Sequence, residues 1–179
     1  MTGSLRKLKT VLILLMGVSL LHGSVQAWAM LSPPGAEIDA YFYATFLGGG
    51  SGDIVRDVAV DSAGNMVVVG STYSEDFPVL NAYQPGYAGG FTDNIHLVGG
   101  EGFVAKLSRE GELLWSTFIG GSRLDGCLGV ETFGEEIVVM GVTNSTDFPV
   151  VGGVGQRTYG GRGADGFVAV LGSDGELHR

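Results

Sequence analysis

The strongest constraint on this chain is that it spells one phrase twice. Residues 71–79 read STYSEDFPV, and residues 142–150 read VTNSTDFPV. Other blocks return in the same order. TFLGG at 45–49 becomes TFIGG at 117–121, and Asp53 becomes Asp125. MVVVG at 66–70 becomes IVVMG at 137–141, and GFVAKL at 102–107 becomes GFVAVL at 166–171. Blocks matched in one order are the mark of a repeated supersecondary unit that buries its apolar face against its neighbour. The first copy is the longer, with its extra residues between Tyr87 and Gly99.

Each copy reads as four short strands. These fall near residues 41–47, 54–61, 66–73 and 102–108 in the first copy, and near 113–119, 127–132, 137–143 and 166–172 in the second. The runs are rich in Val, Ile and Phe and are bounded by Gly, Asp, Asn and Ser. Residues 61–65 (DSAGN) have the chemistry of a hairpin turn, with Gly64 and Asn65 suited to positive φ. The second copy has TFGEE there, a poorer turn. Residues 67–69 and 137–139 are apolar without alternation, as in strands covered on both faces. No helical periodicity appears outside the first 27 residues. The expected fold is all-β, with about two four-stranded antiparallel units and a large glycine content (32 of 179 residues) spent on turns.

The run TFLGGGSGD…VAVDSAGNMVVVGSTYSEDFPV, followed by GEGFVAKLSREGELLWSTFIGG, resembles the bacterial β-propeller repeat family called SBBP. The resemblance covers about residues 41–179; the second copy departs from it at the DSAGN turn. It implies blades of four antiparallel strands around an axis, in secreted or surface-exposed proteins. It implies no activity, because fold alone does not define one. The blades would span 41–112, with a loop insert at 87–99, and 113–179. Two blades leave the ring incomplete, since closed propellers have about four to eight. Residues 175–177 (GEL) repeat 111–113, so the sequence reaches the threshold of a third repeat at His178 and Arg179. The expectation is the first part of a longer protein, with further blades supplied in cis or by other chains.

The first residues have the form of a secretory leader. Arg6, Lys7 and Lys9 precede an apolar run at 11–21, and small residues before positions 27 and 29 suit cleavage after either. Residues 28–40 then form a linker. The apolar run is too short for a bilayer span. Secretion to the exterior, the cell surface or the periplasm is expected, without membrane insertion after cleavage. The chain carries −9 at pH 7, and losing the leader removes only basic residues. Such acidity disfavours nucleic acid as a partner. Cys127 is the single cysteine, which excludes an intramolecular disulfide and suits a small apolar filler.

Candidates for chemistry are few. GGRGADGFV at 160–168 fits a calcium-binding nonapeptide, but those sites need tandem copies. Asp53, Asp125 and Asp165 are candidate Ca²⁺ ligands through their carboxylates. Equally, such residues accept backbone N–H groups in turns; their recurrence, with Asp57, Asp61, Asp76 and Asp147, favours that role. His96 and His178 have no repeated partner. No nucleophile elbow, zinc-ligand spacing or phosphate-binding loop occurs. No catalytic constellation and no cofactor are therefore expected. Tyr87, Phe91 and His96 lie in the long insert, a candidate binding loop.

The repeated phrase itself reads as structural. Asp76 and Asp147 are expected to cap the turn after the third strand, and Phe77 and Phe148 to anchor the loop. Pro78 and Pro149 hold the preceding residue extended. The functional expectation is a secreted, non-catalytic binding scaffold for a protein or glycan. Two alternatives stay open: the front of a larger secreted enzyme or adhesin, and a truncated product without activity.

Overall fold

The computed structural model describes residues 43–89, 99–152 and 155–178. The leader and linker, residues 41–42, and Phe91 and His96 of the insert lie outside them. The described chain contains seven strands: β1 (Asp53–Val60), β2 (Met66–Thr72), β3 (Glu101–Leu107), β4 (Leu113–Ile119), β5 (Asp125–Phe133), β6 (Glu136–Thr143) and β7 (Asp165–Gly172). They form two antiparallel sheets, one ordered β1-β2-β3-β4 and one ordered β5-β6-β7. The fold is all-β, as the sequence predicts.

Turn chemistry sets the hairpins. Asp61 accepts the N–H groups of Ala63 and Asn65, both at 2.9 Å, and Gly64 takes φ 86°. The second copy, whose sequence looks a poorer turn, closes more tightly. Phe133 pairs directly with Glu136, and Gly134 at the first central position takes φ 64°. Both first strands carry a bulge at the same repeat position, at Arg56 and at Leu128, where the register shifts.

The sheets are offset from the sequence repeat. Residues 113–119, which open the second copy in sequence, pair with β3 and complete the first sheet. Their counterpart in the first copy is not a strand over its described residues, 43–47. The tight turn explains the choice. Ser108 N–H donates to Glu112 C=O at 2.7 Å and Gly111 takes φ 91°, which folds β4 straight back onto β3. The second sheet begins the same hairpin. Gly172 N–H donates to Glu176 C=O at 2.8 Å, and Leu171 bridges Leu177 as Leu107 pairs with Leu113. Among the described residues β7 is the last strand of its sheet.

The two sheets pack face to face. One buried cluster joins Val67, Val69, Val104, Trp115 and Ile119 of the first sheet to Cys127, Val130, Ile137, Val139 and Leu171 of the second. This is why the triple-apolar strands need no alternation. Polar stitches cross the same interface. Val130 N–H donates to the Asp57 carboxylate at 2.9 Å, and Trp115 Nε1–H donates to Ser173 C=O at 3.0 Å. Lys106, almost wholly buried, reaches Ser173 C=O at 3.1 Å and Asp61 at 3.0 Å, so its ammonium is paired rather than stranded. A second cluster, Phe77, Phe103, Ala105 and Phe118, covers the opposite face of the first sheet.

Candidate functional site

The repeated phrase builds a latch. Its T-x-S-x-D spacing delivers two hydroxyls and a carboxylate to the glycine-rich turn ahead of the first strand. In the first copy Asp53 accepts Gly49 N–H at 2.9 Å and the Thr72 and Ser74 hydroxyls at 2.5 and 3.1 Å. Ser74 Oγ accepts Ser51 N–H at 2.9 Å, and Asp76 accepts Gly50 N–H at 2.7 Å. The second copy repeats this. Asp125 accepts Gly121 N–H and the Ser145 hydroxyl, both at 2.8 Å, and Asp147 accepts Ser122 N–H at 2.9 Å. The last bond, ahead of a small opposing effect of burial, holds the Asp147 carboxyl below its ordinary range. Asp76 and Asp147 thus hold the upstream turn rather than capping the loop that follows them. The paired use of these residues was visible in the sequence; their target was not.

Asp165 stands apart from Asp53 and Asp125. It occupies the position of Glu101 and accepts Gly160 N–H at 2.6 Å and Gln156 Nε2–H at 3.2 Å. The nonapeptide-like residues therefore form a loop closed onto its own aspartate at the entry to β7. Among the described residues, no group of three His, Cys, Asp or Glu side chains gathers as a metal would need.

Glu101 and Asp125 meet beside Gly120, where a Cβ would run into both carboxylates. Burial pushes the Glu101 carboxyl up to about 8, against a hydrogen bond from Gln84 and with help from the Asp125 charge. Burial also raises Asp125 despite the donors around it. Cys127 lies next to them, fully buried, and its thiol is raised by burial and then by the two carboxylates. Such a thiol is a filler, not a nucleophile.

The larger feature is a groove along β7. It has a volume of about 1120 Å³, with Phe148, Pro149, Tyr159, Phe167, Val168 and Leu177 among its walls. The first sheet explains its shape, because the equivalent space there holds β4. Residues 78–84 clasp that strand. Leu80 and Ser116 exchange backbone bonds at 3.2 and 2.9 Å. Gln84 N–H donates to Thr117 Oγ1 at 2.8 Å, and Phe118 N–H donates to Gln84 C=O at 3.2 Å. The Gln84 side chain donates to Glu101 at 2.8 Å, as Gln156 does to Asp165. Gln84 and Tyr87 recur as Gln156 and Tyr159 at the 72-residue offset of the TFLGG block, the sequence signal that marks the pair.

The aromatic lining makes the same point. In the first sheet Phe77 sits 4.5 Å from Phe103 and 6.0 Å from Phe118, and Tyr87 meets Phe118 edge-on at 5.7 Å. In the second, Phe148 and Phe167 keep the 4.5 Å pair, but among the described residues no third ring joins them. Tyr159 matches Tyr87 in the sequence repeat and lines the groove. Pro78 C=O accepts the Ser116 hydroxyl, whereas Pro149 lines the groove.

The backbone of β7 is oriented to pair. Gly172 N–H and Val170 C=O both point to the hairpin side, where they meet Glu176 and His178. In an extended strand alternate residues share that direction, so Val168 and Gly166 offer their N–H and C=O groups to the groove. No protein-family model matches the chain, and no curated protein is similar to it at a significant level.

Proposed function

We propose that the two sheets are propeller-type blades, that the chain is a non-catalytic, exported interaction scaffold built of such blades, and that the β7 groove is the slot for the next extended strand, which residues 176–178 begin to enter. The supporting observation is the correspondence between that groove and the slot filled by β4. An edge strand with unpaired backbone groups and an apolar floor takes an extended segment by strand addition, the backbone giving affinity and alternate side chains giving specificity. The carboxylates that resemble ligands or acid–base pairs are engaged by their own loops, which suits a scaffold. The leader-like first residues support export.

A peptide of residues 112–121 (ELLWSTFIGG) tests the reading, because it is the strand the same architecture accepts in the first sheet. Titrated into the full chain, it should bind with saturable change at the β7 amides and bind at least roughly tenfold more weakly to Val168→Lys. Absence of binding at millimolar peptide, or binding equal to that of a scrambled peptide, would exclude the groove as a strand acceptor. Fractionation of expressing cells tests export separately; retention of the uncleaved chain in the cytosol would remove that part.

A further inference from the structure

We infer that Glu101 and Asp125 hold one proton between them and that its loss opens the seam between the two sheets at that end, so that the pair is a pH-operated closure. Glu101 begins β3 in the first sheet and Asp125 begins β5 in the second, so the pair spans the seam. Both residues are 0% exposed. Glu101 Oε1 and Asp125 Oδ2 each lie within 2.7 Å of one point, where a Gly120 Cβ would stand. Their other oxygens, Glu101 Oε2 and Asp125 Oδ1, have no hydrogen-bond partner. Two carboxylates this close and out of water do not both keep their charge; one shared proton turns an acceptor into a donor. The titratable groups facing the pair supply no positive charge. Asp147 adds negative charge to both carboxyls. Cys127 and Tyr87 face the pair as acids raised by burial, and therefore uncharged. Arg123 acts on Asp147, while Glu75 and Tyr73 act on Tyr87.

The seam is fastened unequally along its length. At the far end Trp115 Nε1–H and Lys106 Nζ both donate to Ser173 C=O, at 3.0 and 3.1 Å. Midway, Val130 N–H donates to the Asp57 carboxylate at 2.9 Å. At the Glu101 end a single backbone bond joins the sheets, from Asp125 N–H to Gly100 C=O at 3.1 Å. Cys127 lies just inside it and is covered by β3: a Cβ on Gly102, the neighbour of Glu101, would come within 3.1 Å of its Sγ. The sign of the switch follows from burial, which raises the Glu101 carboxyl to about 8. The proton is held below that value and passes to solvent as pH climbs through it. Its loss leaves two like charges in the weakly fastened end. Water enters there, breaking the Asp125–Gly100 bond and uncovering Cys127, while the Ser173 end stays closed.

Cys127 is the chain's single thiol, so its alkylation reads the opening. The labelling rate of the folded full chain, divided by that of the urea-unfolded chain at the same pH, should rise roughly tenfold from about pH 6 to about pH 9. Glu101→Gln keeps the donor that the proton supplies and should hold the ratio at its acidic value throughout. Glu75→Gln removes a charge that acts on Tyr87 rather than on the pair and should leave the rise in place. Exchange of the Trp115 indole N–H, referred to the unfolded chain in the same way, should stay slow over the whole range, which separates opening of one end from unfolding of the molecule. A ratio that does not change with pH, a rise that Glu101→Gln retains, or a rise matched by Trp115 exchange would overturn the inference. The wild-type ratio and the Trp115 exchange decide the matter even where Glu101→Gln does not fold.

Discussion

Val104 and Val168 occupy one position in the two repeats, opposite Val69 in β2 and Met140 in β6, yet Val104 is sealed between the sheets and Val168 faces open space. The two residues are chemically identical and differ only in what covers them. Val104→Ala should lower unfolding free energy by roughly 2 kcal/mol, in keeping with full burial of a valine. Val168→Ala should change it by less than about 0.5 kcal/mol in the monomer. Urea titration of both variants at low protein concentration checks the contrast.

The phenylalanines of the repeated phrase should differ in the same sense. Phe77 is buried against Phe103 and Phe118, and its replacement by Ala should cost roughly 3–5 kcal/mol. Phe148 is only partly buried against Phe167, and Phe148→Ala should cost less than half as much. Equal losses would mean that Phe148 is covered as fully as Phe77.

The phrase, the triple-apolar strands and the DSAGN turn were legible in the sequence because each is a local pattern with a local cause. Asp61 and Gly64 need only their own neighbours to make a turn. The grouping of strands into sheets was not legible. Residues 113–119 open a repeat in sequence but close a sheet in space, and a repeat has no intrinsic starting point. The target of Asp76 was hidden for a similar reason: its partner, Gly50, lies on the far side of a hairpin. Gln84 recurs as Gln156 with Tyr87 and Tyr159 at the repeat offset, but its role depends on β4 being present, so the recurrence alone does not state what it does.

The latch carboxylate should matter for stability. Asp53→Ala leaves Gly49 N–H and two hydroxyls without their acceptor, a loss of about 1–3 kcal/mol where such groups are partly buried. Asp53→Asn keeps an acceptor oxygen and should recover part of it. Thermal unfolding of the two variants gives the comparison.

Glu101 should make stability depend on pH. Its carboxyl is raised by burial from 4.5 to about 8 in the folded chain, so the folded state holds its proton more tightly than the unfolded state. Stability from this group is fully present below the unfolded value and declines as pH climbs from there through about 8. Asp125, raised by burial, acts in the same direction. At about 1.4 kcal/mol for each tenfold difference in proton affinity, the loss is on the order of a few kcal/mol. Urea midpoints should fall between mildly acidic and mildly alkaline buffer, and Glu101→Gln should flatten much of that slope. A slope that Glu101→Gln leaves unchanged would place the titration elsewhere.

The exchange rates of two backbone amides test the open edge of β7 most directly. At dilution where the chain is monomeric, hydrogen exchange should be slow at Val104, whose N–H is directed to β4, and roughly 100-fold faster or more at Val168, whose N–H faces the groove. Saturating 112–121 peptide should slow Val168 and leave Val104 unchanged. Equal protection of the two amides in the free monomer would contradict the account, because it would mean that β7 is already paired.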